Sequence, residues 1–209
     1  MYMKLKLSNP LFCLVLCLVL FKIDVHASDV QKLNDIYVND LNLVRNPSFE
    51  RQNLFDKPDL QYDIDEPVPE WDGLGGWYGT ILPGTISVNG NLSVLFSSGY
   101  GARAWLEQRG IPVQPGEYYL IQSWFRTVLP FVPQGVQLGA YIKVWGQSKE
   151  KPLFEKWLSG VEDWHQVNGV FLSPEGTKYI TIDIGLEGLG GYFWVDDVRL
   201  SEIVGFKDK

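Results

Sequence analysis

Residues Gly191–Glu202, GYFWVDDVRLSE, read as a closing β-strand with two adjacent carboxylates set into it. Tyr192, Phe193, Trp194, Val195, Val198 and Leu200 surround Asp196 and Asp197, a pattern that buries at least one strand face. Uncompensated carboxylates in such a place cost several kcal/mol or take up protons. Leu41–Glu50, LNLVRNPSFE, offers a second strand and ends on another carboxylate, Glu50. The two stretches are expected to be neighbours, with Glu50 and Asp197 meeting around a hard cation, for which calcium is the natural choice. Asp196 is expected to be the more exposed of the pair. An ion pair from Arg199 is the competing explanation for how the acids are balanced.

Working backwards from this strand, short alternating runs recur at Ile86–Val88, Leu92–Phe96, Ala102–Gln108, Glu117–Thr127, Val136–Trp145, Trp164–Leu172, Lys178–Gly185 and Phe193–Ser201. Glycine and proline punctuate nearly every gap, and no amphipathic helix longer than a few turns interrupts them. The expected fold is all-β, a two-sheet β-sandwich.

At the other end, Lys4 and Lys6 precede an uncharged apolar run, Leu11–Phe21, and Val25-His26-Ala27 supplies small residues for cleavage. Residues 1–27 are therefore expected to be a signal peptide cleaved near Ala27, which sends the chain to a secreted, periplasmic or extracellular location. Residues 28–40 read as an N-terminal arm, 41–204 as the sandwich and 205–209 as a tail. Both cysteines, Cys13 and Cys17, fall in the signal, so the mature chain is expected to have no disulfide. Removing 1–27 takes the net charge from −7 to −9. That disfavours nucleic acid and anionic membrane as partners, and no segment suggests membrane insertion.

Taken in order, NPSFE, GWYG, ARAWLEQRGIPVQPGEYYLIQSWFRT, DWHQVNGVFLSPEGTKYITIDIGLEG and FWVDDVRL resemble the carbohydrate-binding modules of families four, nine and twenty-two. The resemblance spans roughly residues 41–202. It implies a jelly roll of the galactose-binding-like type, often with a structural calcium near the paired termini, and a sugar groove on one concave sheet face. It also implies a polar groove residue at Gln122, and amides where this chain has Asp183 and Glu187.

Period-two alternation along Glu117–Thr127 separates Tyr119, Ile121, Ser123 and Phe125 from Gln122, Trp124 and Arg126. The second set combines an amide, an indole and a guanidinium, which suits the C–H face and paired hydroxyls of a sugar. Tyr141 is expected to extend that platform, with Asp183 and Glu187 accepting from hydroxyls. Trp71, Trp77 and Tyr78 flank a glycine-rich turn at the end of a long acidic loop and could close over a ligand, one of them plugging the sandwich instead. Trp105, Trp164 and Trp194 are assigned to structure.

Catalytic signals are thin, with one mature histidine, His165, and no mature cysteine. The leading reading is a non-catalytic carbohydrate-binding protein whose partner is a polysaccharide or glycan. Two others stand beside it: an extracellular structural or adhesive protein that uses the sandwich for a protein partner, and, with less support, a glycoside hydrolase using Asp183 and Glu187.

Overall fold

The computed structural model describes residues 36–52, 68–75, 79–133 and 135–206. The expected signal peptide, residues 28–35 of the arm, Trp77, Tyr78 and the tail from 207 lie outside the described residues.

Among the described residues every regular element is a strand: β1 (Ile36–Val38), β2 (Asp72–Gly75), β3 (Gly79–Gly84), β4 (Ser93–Ser98), β5 (Arg103–Pro112), β6 (Tyr118–Val128), β7 (Gly139–Trp145), β8 (Pro152–Leu158), β9 (Val161–Leu172), β10 (Tyr179–Glu187) and β11 (Gly191–Phe206). They form a six-stranded sheet in the order β3-β4-β11-β6-β9, with β1 beside β11, and a five-stranded sheet in the order β2-β5-β10-β7-β8. Pairs along both paths run antiparallel. Tyr37–Phe206 make up one compact unit.

Alternation builds the layer between the sheets. β6 sends Tyr119, Ile121 and Phe125 inward, β10 sends Ile180, Ile182 and Ile184, and β7 sends Ala140, Ile142 and Val144, all into one apolar cluster. Phe193 lies between Phe96, stacked at 5.3 Å, and Phe125, edge-on at 4.8 Å.

β11 breaks the period where the acids stand. Val195 and Val198, three apart, are both fully buried, and a register shift between Asp196 and Arg199 absorbs the extra residue. Asp197 sits in the bulge with φ 48° and is partly exposed, while Asp196, in register with Trp124, is fully buried where it accepts the N–H groups of Val88 and Asn89. The expected order of exposure is reversed.

Other elements also differ from expectation. Leu41–Glu50 does run beside β11, but as irregular chain: the Asn42 side chain donates to the Val198 carbonyl at 3.1 Å and accepts from the Leu200 N–H at 3.0 Å, replacing strand bonds. Positive φ at Asn46 (46°) and Phe49 (55°) stops it from extending. Ile86–Val88 is not a strand, because the Val88 N–H is donated to Asp196. β7 begins at Gly139 rather than Val136; its φ is 114°, and a side chain there would strike the Leu158 carbonyl. β1, β2, β3 and β8 were not expected: β1 draws part of the expected arm into the sheet beside β11, and β11 itself runs to Phe206, into the expected tail.

Candidate functional site

The outer face of the five-stranded sheet is built from the residues that alternate with its core positions. Ala104 and Leu106 point inward from β5, leaving Arg103, Trp105 and Glu107 outside; on β7 the corresponding outer residues are Tyr141, Lys143 and Trp145, and on β10 they are Asp183, Gly185 and Glu187. Register places Trp157, Tyr141, Gly185 and Trp105 in one row across four strands, and Glu155, Lys143, Asp183 and Glu107 in the next. Gly185 lets its neighbours close over the first row, the nearest being the Ala104 carbonyl oxygen, 2.5 Å from where a Cβ would stand. A Cβ there would lie 2.7 Å from the Tyr141 hydroxyl and 2.8 Å from Trp105 Cβ.

A buried polar network runs through this face. The Tyr141 hydroxyl donates to Asp183 Oδ1 at 3.0 Å and accepts from Arg103 Nη2 at 3.0 Å. The guanidinium also reaches Asp183 Oδ2 at 3.4 Å and Glu187 Oε2 at 3.6 Å. Burial raises the Asp183 carboxyl above the ordinary range, with Arg103 and Tyr141 opposing the shift, and burial likewise raises the Tyr141 phenol. Glu107 differs: burial acts against its charge, but hydrogen bonds from Arg109 and Lys149, the latter at 3.0 Å, bring the carboxyl below the usual range.

Cations lie over the rings. Arg103 covers Trp105 at 4.4 Å from the centroid, and Lys143 Nζ stands 4.4 Å from the ring centres of both Tyr141 and Trp157 and 5.9 Å from Trp145. The indole N–H of Trp157 is buried without a hydrogen-bond partner among the described residues. The arrangement can offer ring edges and faces, a guanidinium, an ammonium and carboxylates to a polyhydroxylated ligand laid across the strands.

The expected site residues do not form one site. Tyr141, Asp183 and Glu187 share the five-stranded face. Gln122, Trp124 and Arg126 alternate with core residues of β6 and therefore face outward from the other sheet. There Gln122 bonds Asn168 at 2.8 Å, and Arg126 lies over Trp194 at 5.3 Å and reaches Asp163 at 3.4 Å. Tyr141 is fully buried, so it serves as a hydrogen-bonding hub and not as an open platform. Trp71 is the plug: it is fully buried against Phe49 at 5.4 Å, and its N–H donates to the Arg45 carbonyl at 3.2 Å, so it has no ring face for a ligand. Trp77 and Tyr78 lie outside the described residues.

Trp105, assigned from sequence to structure, belongs to the five-stranded face, as do Arg103, Lys143 and Trp157. The signal was present for β5, since Arg103, Trp105 and Glu107 alternate as Gln122, Trp124 and Arg126 do. β8 carries no such signal, because nearly all its residues are half-buried.

The acidic pair of β11 meets Glu50 at a single turn. Asp196 Oδ2 accepts from the N–H groups of Val88 at 2.8 Å and Asn89 at 2.9 Å, and its Oδ1 from the Asp197 N–H at 2.7 Å. Glu50 Oε1 accepts from the N–H groups of Asn91 at 3.0 Å and Leu92 at 2.9 Å. Gly90, with φ 73°, carries the turn past Glu50, where a Cβ would collide with the carboxylate. Burial still raises the Asp196 carboxyl, against the opposing bonds from the turn. Arg199 does not neutralise this cluster; it binds Ser201 and the Asp40 carbonyl. Glu50 and Asp196 bring the hard oxygen donors that calcium takes, and two carboxylates leave most of its shell to carbonyls and water. Among the described residues no group of three His, Cys, Asp or Glu forms.

No family model and no curated protein matches the sequence. Solved structures do match in fold. One is the enzymatically active domain of bacteriophage CBA120 tailspike protein 4, 18% identical, with TM-score 0.54, covering 78% of this chain and 21% of that one. This chain thus spans about a fifth of the tailspike domain. A family 61 carbohydrate-binding module in complex with β-1,4-galactotriose matches at 17% identity and TM-score 0.52, covering 77% of this chain and 97% of that one. A family 4 module matches at 14% identity and TM-score 0.51, covering 76% and 99%. The chain shares the two-sheet β-sandwich fold of these structures.

Proposed function

We propose that the protein binds a polysaccharide or glycan across the outer face of the five-stranded sheet and does not hydrolyse it. The observation that carries this reading is the row Trp157, Tyr141, Gly185 and Trp105, in which two half-buried indoles stand on one sheet face beside a row of hydrogen-bonding groups. A sugar chain needs this combination: apolar surface for C–H faces and planar polar groups for hydroxyls. Fold alone does not assign function, and the site supports the reading independently. Against hydrolysis, Arg103 lies between Asp183 and Glu187 and reaches both, so neither is poised as a free acid or base. Calorimetric titration of soluble glycans against the wild type and Trp105→Ala tests the proposal.

The structural calcium is proposed at the turn holding Glu50 and Asp196, with Asp197 beside it. Bound there, the ion would supply positive charge to carboxylates that backbone N–H groups now balance, and would tie the start of the domain to its last strand. Export is proposed from the sequence, and a mature N-terminus at Ser28 would support it.

A protein-contact reading draws on the opposite sheet. Tyr192, Val128 and Val161 are register partners across β11, β6 and β9, and are 48%, 39% and 76% exposed. That is an apolar stripe of the kind adhesive surfaces use.

A further inference from the structure

Lys143 is flanked in register by two carboxylates and pairs with neither. Glu155 stands opposite it on β8 and Asp183 on β10. Cross-strand neighbours of opposite charge ordinarily meet. Here Glu155 accepts from the Gln137 side-chain amide at 2.8 Å, and Asp183 is held by Tyr141 and Arg103. Arg103, Arg109 and Lys149 on the same face all have carboxylate partners, whereas Lys143 has none within 4.0 Å among the described residues. Its ammonium rests instead on the rings of Tyr141, Trp157 and Trp145. Ring quadrupoles orient a cation without neutralising it, so the three donors of the ammonium stay available.

We infer that Lys143 reads an anionic substituent, a carboxylate or a sulfate ester, on the glycan that this face binds. The inference rests on the reading of the face as glycan-binding. The acidic chain as a whole repels polyanions, so attraction depends on this one site and weakens with salt. Each neighbouring carboxylate already has its own donor, so the ammonium is the group left to meet an incoming acid.

The full mature chain is titrated with polygalacturonate, a sulfated galactan and neutral galactan, at low and high salt, as wild type, Lys143→Met, Lys143→Arg and Trp105→Ala. Lys143→Met keeps a straight apolar stem on the rings, and thermal melts confirm that each variant folds. One acidic polymer should bind about tenfold tighter than the neutral one, the worth of one hydrogen-bonded charge. Lys143→Met and high salt should remove that preference, and Lys143→Arg should keep most of it. Whether the carboxylated or the sulfated polymer is preferred identifies the substituent. Equal binding of acidic and neutral polymers, or a preference that survives in Lys143→Met, overturns the assignment. If neutral galactan binds and Trp105→Ala abolishes it, the face remains a glycan site without an anion reader. No binding of any polymer overturns both.

Discussion

Tyr141 donates its hydroxyl hydrogen to Asp183 across 3.0 Å, joining two adjacent strands at the middle of the five-stranded sheet's outer face. The same oxygen takes a hydrogen from Arg103 on β5, which lies on the far side of β10, so one phenol ties three strands together. Tyr141→Phe removes both bonds and leaves a buried carboxylate with a single strong donor. A loss of about 1–3 kcal/mol in unfolding free energy is expected from denaturant melts. A variant as stable as wild type would show that Asp183 and Arg103 satisfy each other without the phenol.

The pH response of Asp183 has a definite sign. Its carboxyl is raised in the folded chain, mainly by burial, so the native state takes up a proton at a pH where the unfolded chain is still ionised. Stability from this group therefore rises as pH falls through the raised native value and levels off below the unfolded value of 3.8. Asp183→Asn cannot titrate. The wild-type advantage over it should grow in denaturant melts as pH falls toward the unfolded value of 3.8. An advantage that shrinks on acidification would mean that the Arg103 ion pair dominates and depresses the native pKa.

Gly185 is required by the closeness of its neighbours. In Gly185→Ala the new methyl would sit 2.5 Å from the Ala104 carbonyl oxygen and 2.7 Å from the Tyr141 hydroxyl. Overpacking of this kind costs roughly 1–3 kcal/mol, and it displaces the Tyr141 hydroxyl that holds Arg103 and Asp183. Both a lower melting temperature and weaker glycan binding are expected. A variant with unchanged melting and binding would show that the strands can part to admit it.

Chelation tests the turn around Glu50 and Asp196. If calcium binds there, a chelator lowers the melting temperature of the wild type, and the shift disappears in Asp196→Asn. A curve unmoved by chelator, with Asp196→Asn still destabilised, would assign the whole compensation to the N–H groups of Val88, Asn89 and Asp197.

The strands with strong alternation were legible in the sequence because one face of each is buried: β6, β9, β10 and β11 lie where the pattern puts them. Of the edge strands, β9 was legible, but β3 and β8 were not. β8 is half-buried along its length, and β3 ends on Pro83-Gly84, so neither alternates cleanly. Ile86–Val88 looked like a strand because apolar residues flank Ser87, yet its backbone donors serve a carboxylate over a hundred residues away, a partner that local pattern cannot indicate. The three-residue spacing of Val195 and Val198 marks the bulge, but which acid is buried depends on the distant N–H groups of Val88 and Asn89. Trp105 was misjudged because tryptophan suits a core as well as a rim; only its place between Ala104 and Leu106 decides the side.

On the proposed function, the five-stranded face, and not the six-stranded one, binds glycan. Titrating the glycan preferred by the wild type against Trp105→Ala, Trp157→Ala and Trp124→Ala tests it most directly. Trp105→Ala and Trp157→Ala should each weaken binding by at least about tenfold, while Trp124→Ala leaves it unchanged. Loss of binding in Trp124→Ala, with Trp105→Ala and Trp157→Ala behaving as wild type, would move the site to the opposite sheet and contradict the claim.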